Sequence, residues 1–478
     1  MSNTFKIGLA GAIHSNMPGD DAGLYKSVMA EMEKKQKDMG FELHSWAELL
    51  TSESKSMKAL SFFEEKKVDL LILFNASLPY GRVVLPFAEF QGALGLWSVP
   101  EPVTSGVLQL NSYCGLNMLG SILRNYFPQK DVKYKWFYGM PDSELFMQRL
   151  TVSIRALKAV KKLRSSRIAQ IGDLADGFEN LYVDERVLYD RLGTKVYARH
   201  TVEEIVARAE SYDAAAVQLE IPRINAGHCC VSKNVTTNDM EKMARINLAF
   251  LDFAKEHDYD SLAISCWSRF QEIYDVAVCG AMSRLNDIGI VAPCEADITS
   301  AVTMIMMNSM NDSAASLNDL VALDEQDSSL ALWHCGVAPG CWADGRGVTW
   351  DSHFNIGEYD QGEWKGRGVV ADMNFKSGTK TVSTIRSDFS SIFLMTGESM
   401  AKKKGYNGSG GWLNNLKVNG TKASIPDLIN TISRAQVNHH YPAAFGDLSN
   451  EINEFAFWTG MKVQDVIPYT SYMSDFIQ

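Results

Sequence analysis

Two doubly wound, Rossmann-like α/β domains followed by a β-rich C-terminal domain are what this 478-residue sequence predicts. Three observations carry that expectation. Short apolar runs alternate with helical periodicity through the first two thirds of the chain. The cluster Lys161, Lys162 and Arg164, followed by SSRIAQIGD, interrupts that alternation near Ser165. Beyond about Asn311 the texture changes to runs that alternate apolar and polar residues. A chain of this length exceeds a single core, so the domains expected are 1–164, 165–310 and 311–478.

In the first domain Phe5–Ala10 reads as a strand, Leu24–Met39 as a helix by its 3.6 spacing, and Glu42–Trp46 as a strand. Met57–Lys66 reads as a helix, Val68–Phe74 as a buried strand and Ala93–Trp97 as a further short strand. A long helix over about Asp142–Leu163 closes the domain, its basic end suiting a helix C-terminus. Gly8 and Gly11 give only GLAG, short of GxGxxG, so no dinucleotide is expected. The second domain opens with strand Arg167–Ile171 and continues through a helix over Tyr182–Arg191, strand Lys195–Ala198, and helices over Val202–Glu210 and Asp239–Glu256. Two further strands, Leu262–Cys266 and Ile288–Ala292, end it. In the third, Gly368–Phe375, Thr379–Arg386 and Ser391–Met395 read as antiparallel strands, with a turn at Lys376-Ser377-Gly378.

The net charge of −11 argues against nucleic-acid or anionic-membrane partners. No run approaches the ~18 apolar residues of a membrane span. The N-terminal MSNTFKIGLAGAIH lacks the basic-then-apolar pattern of a signal peptide, so a cytoplasmic location is expected. Eight cysteines without CxxC spacing, mostly in apolar runs, read as buried free thiols, and a zinc site built from them is not expected.

The chemistry concentrates where the two late strands end. One run stops just before Glu272, the other just before Glu295 and Asp297. Parallel strands would deliver these acids to the carboxyl edge of one sheet, where open α/β sheets place ligands. Taken singly, Glu272 reads as a helix N-terminal acid and Asp297 as an N-cap. Strand periodicity puts Glu295 and Asp297 on one side, where two carboxylates repel unless they share a cation or a proton. His334 ends the run LALWHC, and His439-His440 precede YPAAFGD. Carboxylates with imidazole form an oxygen-rich divalent-metal site suited to proton transfer beside a carbonyl.

These motifs resemble a known family. VNHHYPAAFGD with the following GMKVQDV, CEADITSAVTM and RFQE are similar to the histidine, strand-end acid and upstream glutamate motifs of L-fucose isomerase. LWSVPEP, NSYCGLNML, IGDLADGF and WHCGVAP resemble its divergent L-fucose/L-arabinose isomerase-like branch, which includes sulfoquinovose isomerases. The resemblance implies an aldose–ketose isomerase holding Mn²⁺, with Co²⁺ or Mg²⁺ as alternatives. It implies Glu272, Asp297 and one histidine of the pair as metal ligands, His440 by alignment on Gly446 and His439 by alignment on Val437-Asn438. Glu272 would be the base that moves the carbon-bound proton, and Asp297 its partner for the oxygen-bound one. Glu295 would stand behind the ligands, and His334 matches a further metal-site histidine of the arabinose isomerase pattern. A homo-oligomer with its active site at a subunit boundary is also implied.

Substrate contacts are less legible. His14, Asn16, Trp97, Trp342 and Arg346 are the candidates, with Ser15, Asp20, Asn75 and Ser77 as further polar groups at strand ends. Arg223, Lys365 and Arg367 join Arg346 as cations that an anionic sugar such as sulfoquinovose would need and a neutral deoxyhexose or pentose would not. The competing reading is a non-enzymatic sugar-binding protein, since paired α/β domains also close on sugars without chemistry.

Overall fold

The computed structural model describes residues 4–16, 19, 23–227, 230–311 and 313–470. They divide into two units, Met1–Lys158 and Ala159–Gln478.

Parallel pairing organises the first unit. Phe5–Ala12 and Leu70–Asn75 are apolar almost throughout and lie inside a sheet covered on both faces. The five strands run in the order Phe41–Leu50, Phe5–Ala12, Leu70–Asn75, Ala93–Ser98, Tyr134–Tyr138, all parallel. This is a doubly wound order. Helices Leu24–Met39, Glu53–Lys66 and Ser112–Tyr126 connect the strands. The last helix and strand Tyr134–Tyr138 lack a sequence counterpart above, because YKWFY and SYCGLNMLGS carry little periodicity.

The second unit has three sheets among the described residues, one of them only the hairpin Gly357–Asp360 with Glu363–Gly366. Strands Lys195–His200, Arg167–Ile171 and Ser261–Ile264 pair in parallel in that order. Helices Glu185–Leu192, Val202–Glu210, Ala214–Asn225 and Thr237–His257 accompany them. Capping boxes fix the starts of Val202–Glu210, at Thr201 and Glu204, and of Thr237–His257, at Thr236 and Asp239.

The β-rich region forms an 11-stranded mixed sheet. Its long path runs Ala443–Phe445, Thr379–Ile385, Ser391–Ser399, Ser409–Val418, Val369–Asn374, Thr349–Ser352, Cys230–Val231. Two details differ from the expectation. The turn at Gly378, with φ of 116°, does not close a hairpin: Val369–Asn374 pairs with Thr349–Ser352, while Thr379–Ile385 pairs with Ser391–Ser399. The sheet is also not wholly antiparallel, since Val369–Asn374 meets Ser409–Val418 in parallel. Local turn chemistry fixes a bend, whereas partner choice depends on which faces the core covers. Helix Ile298–Met310 is nearly all buried, and its Thr303 Oγ1 accepts the Ile385 amide of the mixed sheet at 3.4 Å. A helix apolar on every side is an interior helix. Among the described residues no helix is long and apolar enough to cross a membrane.

Candidate active site

Three backbone segments of the second unit converge on one cluster. The first runs beside Ser261–Ile264. The amide of Leu262 donates to Val291 O at 2.9 Å, that of Ile264 to Pro293 O at 3.0 Å, and that of Ala296 to Ile264 O at 3.1 Å. The expected strand Ile288–Ala292 is therefore a parallel neighbour. Pro293 offers no N–H, so the ladder reduces to one bridge, Ser261 to Val291. The chain then turns through Glu295 and Ala296, both left-handed, with φ of 60° and 59°. Such non-glycine turns cost backbone energy and concentrate at functional sites.

The second segment runs through His439 and His440 to strand Ala443–Phe445. Tyr441 N donates to Asn318 O at 2.6 Å, and Ser316 and Ala443 exchange both amide bonds. This antiparallel register sets Asp319 opposite His440. The third is strand Ser329–His334, whose Trp333 pairs with Asp319 of the neighbouring strand Asp319–Asp324. Gly336 lets the chain leave that strand: its φ is 129°, and a Cβ there would lie 2.8 Å from Ala371 N.

His440 is the centre of the cluster and has no exposed side-chain surface. Its Nδ1 lies 2.8 Å from Asp297 Oδ2. Its Nε2 faces Glu295 Oε2 at 3.4 Å and Asp319 Oδ1 at 3.8 Å. Asp297 also caps helix Ile298–Met310, taking the Ser300 amide at 2.9 Å and the Ser300 hydroxyl at 2.5 Å. Burial opposes charge on His440, but the Asp297 hydrogen bond and the charges of Asp297, Asp319 and Glu295 outweigh it and raise its pKa to about 9. Burial likewise opposes ionisation of Asp297, yet His440 and Ser300 hold its carboxyl below the ordinary range. Burial lifts Asp319 to about 6, against the pull of His440. His334 is driven well below its usual value by burial, then by repulsion from His440, His439 and His353. It is a neutral imidazole at physiological pH.

Three buried atoms here have no hydrogen-bond partner: His440 Nε2, His334 Nε2 and Asp319 Oδ1. A buried polar atom without a protein partner calls for an explanation, and here three of them meet in one place. Asp319, His334 and His440 bring one donor atom each to within 4.8 Å of one another, as do Glu295, His439 and His440. A His/Glu/Asp cluster able to hold a metal ion is thus present.

The structure brings some of the residues singled out in the sequence together and leaves others apart. Glu295, Asp297, His334, His439 and His440 come together. Asp297 turns both oxygens to Ser300 and the Nδ1 side of His440, so it does not share a crevice with Glu295. The left-handed turn breaks the strand periodicity that predicted one side for both. Glu272, on the short helix Arg269–Tyr274, stays 54% exposed and binds Ser268 Oγ and Arg269 rather than the cluster. His439 is half-buried, lies 3.3 Å from Glu295 Oε2, and bonds Asn180 through Nδ1.

The two tryptophans named as candidate substrate contacts are core residues. Trp97 is fully buried, donates to Gly139 O at 2.8 Å and stacks on Phe146 at 4.2 Å. Trp342 is fully buried, donates to Ala314 O and packs between Phe375 and Phe445. Neither leaves a free face. Trp333 is the tryptophan that neighbours the cluster, stacked beside His334 at 6.4 Å.

In the first unit His14 stacks on Tyr80 at 3.7 Å and accepts the exposed Asn16 amide. Asp20 lies outside the described residues. The four cations named for an anionic sugar all sit against acids: Arg223 with Glu220, Arg346 with Asp344, Lys365 with Asp360, and Arg367 with Glu358 and Asp275. Asp319 was missed. It opens an ordinary alternating strand in LNDLVALDEQD, and only the pairing across to His440 marks it. His353, buried with Nε2 unpartnered, was missed for the same reason.

In an α/β protein a histidine–carboxylate cluster at a sheet's carboxyl edge lies where such folds place their ligands. No family model matches the chain. Among curated proteins it is similar to the sulfoquinovose isomerase of Priestia megaterium, 24% identical over 416 residues covering 85% of this chain and 87% of that protein. It is also similar to the sulfoquinovose isomerase of Alkalicoccus urumqiensis, 25% identical over 383 residues covering 78% and 80%. The solved structure of the XylFII molecule aligns over 65% of this chain and 96% of its own at 12% identity, with a TM-score of 0.17, too low to bear on the fold. This similarity over most of the chain supports membership in the divergent branch of the L-fucose/L-arabinose isomerase-like family that holds the sulfoquinovose isomerases, and indicates an isomerase.

Proposed function

We propose that this isomerase interconverts an aldose and its 2-ketose with the help of a divalent ion. The observation that carries the reading is the set of three buried, unpartnered donor atoms on His334, His440 and Asp319. Neutral His334, His440 through Nε2, and Asp319 would hold the ion, with Mn²⁺ first and Co²⁺ or Mg²⁺ accepted by the same donors. Such an ion supplies Lewis acidity to the sugar's O1 and O2 as negative charge develops there. Asp297 is a positioning residue: accepting from Nδ1–H, it keeps the Nε2 lone pair of His440 turned inward.

Glu295 is the base in this reading. The left-handed turn aims its carboxylate at the histidines, and 14% of the side chain stays open for a substrate to reach. It takes the proton from C2 and returns it to C1. His439, 35% exposed and 3.3 Å from Glu295, moves the proton between O2 and O1. Sulfoquinovose is the first substrate to test, on the strength of the relatives' names. The cations of the second unit discussed above give it no support, because acids already neutralise them. A homo-oligomer and a reducing, cytoplasmic setting complete the reading. The described cysteines are all free thiols, as such a setting favours.

The test is proton NMR in D₂O with metal-stripped protein, added Mn²⁺ or Mg²⁺, and a panel of sulfoquinovose, L-fucose, L-arabinose and other aldoses. Metal-dependent loss of the C2 proton, with ketose appearing, is the expected result. No exchange with any sugar despite bound metal would return the sugar-binding alternative.

A further inference from the structure

The proposed hard-ion site has a sulfur-rich flank that the isomerase reading does not use. Cys294, buried, directly precedes Glu295, and Cys266 and Cys279 are buried as well. Cys279 and Cys335 stand close enough to interact electrostatically with Cys266. Four thiols from four separate stretches of chain thus gather beside the cluster. Geometry singles out one: Cys294 Sγ, a Glu295 oxygen and a His334 nitrogen all lie within 4.8 Å of one another. Tetrahedral zinc holds S, N and O donors at about 2.0–2.3 Å from the metal, hence roughly 3.5 Å from each other. His334 Nε2 is already without a partner.

We propose that Cys294, Glu295 and His334 form a second, thiophilic metal site that captures ions such as Zn²⁺ or Cd²⁺ and switches the isomerase off. It rests on the reading above, because two of its donors are the proposed base and one proposed ligand. Binding exchanges the thiol proton, released to solvent, for a sulfur–metal bond, with no change in oxidation state. The soft ion ties up Glu295, so no base remains, and takes His334 from the hard ion's donor set. Hard Mn²⁺ or Mg²⁺ prefers the oxygen and imidazole side and leaves Cys294 protonated. The two modes share donors and exclude each other.

The experiment loads metal-stripped full-length protein with Mn²⁺, then adds Cd²⁺ stepwise. Free Mn²⁺ is followed by electron paramagnetic resonance and thiolate-to-cadmium charge transfer by ultraviolet absorption. Expected is release of one Mn²⁺ per Cd²⁺ bound, with the charge-transfer band rising in step. The band should vanish in Cys294→Ser and persist in Cys266→Ser. Cd²⁺ that displaces Mn²⁺ without a band, Cd²⁺ that binds and leaves Mn²⁺ in place, or a band that survives in Cys294→Ser overturns the proposal. Cys294→Ala, tested the same way, serves should Cys294→Ser not fold. Protein that never binds Mn²⁺ yet shows the Cys294-dependent band would sink the hard-ion reading and leave the thiophilic site standing.

Discussion

Replacing Asp297 with asparagine separates a residue that positions His440 from one that binds metal itself. Asparagine caps a helix about as well as aspartate, so Ile298–Met310 keeps its start and the fold should hold. What changes is the 2.8 Å contact to His440 Nδ1. Raising His440 from 6.5 to about 9 corresponds to about 3 kcal/mol, most of it owed to the neighbouring carboxylates. A neutral amide removes the Asp297 share and can donate to Nδ1, which places the ring proton on Nε2 and blocks the inward lone pair. Loss of such a partner behind a metal-bound histidine costs about 10–100-fold in metal affinity, or about 1.4–2.7 kcal/mol. Equilibrium dialysis with Mn²⁺, alongside far-ultraviolet circular dichroism as a fold check, reads it directly. Affinity within about twofold of wild type would refute the positioning role. A loss as large as that of His440→Ala would make Asp297 a ligand in its own right.

His440→Ala should lower Mn²⁺ occupancy far more than His439→Ala, since His440 is buried between three acids while His439 sits at the rim; equal occupancy by elemental analysis would contradict that order. Glu295→Gln should retain metal but lose turnover by about 10²–10⁴-fold, the usual worth of a general base; parallel loss of metal would make it a ligand instead. Glu272→Gln should change turnover little, because its carboxylate is exposed and bonds Ser268 and Arg269 rather than the cluster; abolished turnover with an intact fold would restore the base role that the resemblance implies. His353, pushed by burial from 6.5 to about 4, binds protons more weakly folded than unfolded. Its stabilising contribution is complete above pH 6.5 and is lost as pH falls from there toward 4, by about 2 kcal/mol at pH 5. The thermal midpoint of wild type should drop on acidification through that window more than that of His353→Asn, and identical profiles would show that His353 stays neutral for another reason.

Periodicity made the strand–helix alternation legible. Leu24–Met39 and Val202–Glu210 fall where the 3.6 spacing puts them, because one amphipathic face per helix must meet the sheet. Charge and motif order were legible for the same reason: each is a property of composition or of short local spacing. The cysteines read as buried are so only in part: of those described, Cys266, Cys279 and Cys294 are buried, while Cys114, Cys230 and Cys341 are exposed. Partner choice was not legible. The Gly378 bend is written locally, but whether it closes a hairpin depends on a mixed sheet whose strands come from residues 230 to 463. The site divides along the same line. His334, His439, His440, Glu295 and Asp297 announce themselves by residue type beside apolar runs. Asp319 became visible only through the antiparallel register that sets it against His440, Asp297 was turned behind the ring by its own helix cap, and Glu272 was left at the surface by a helix of one and a half turns. Trp97 and Trp342 read as candidate substrate contacts in sequence because aromatic rings serve cores and sugars alike. Burial on all sides, which only the packed chain decides, assigned them to the core.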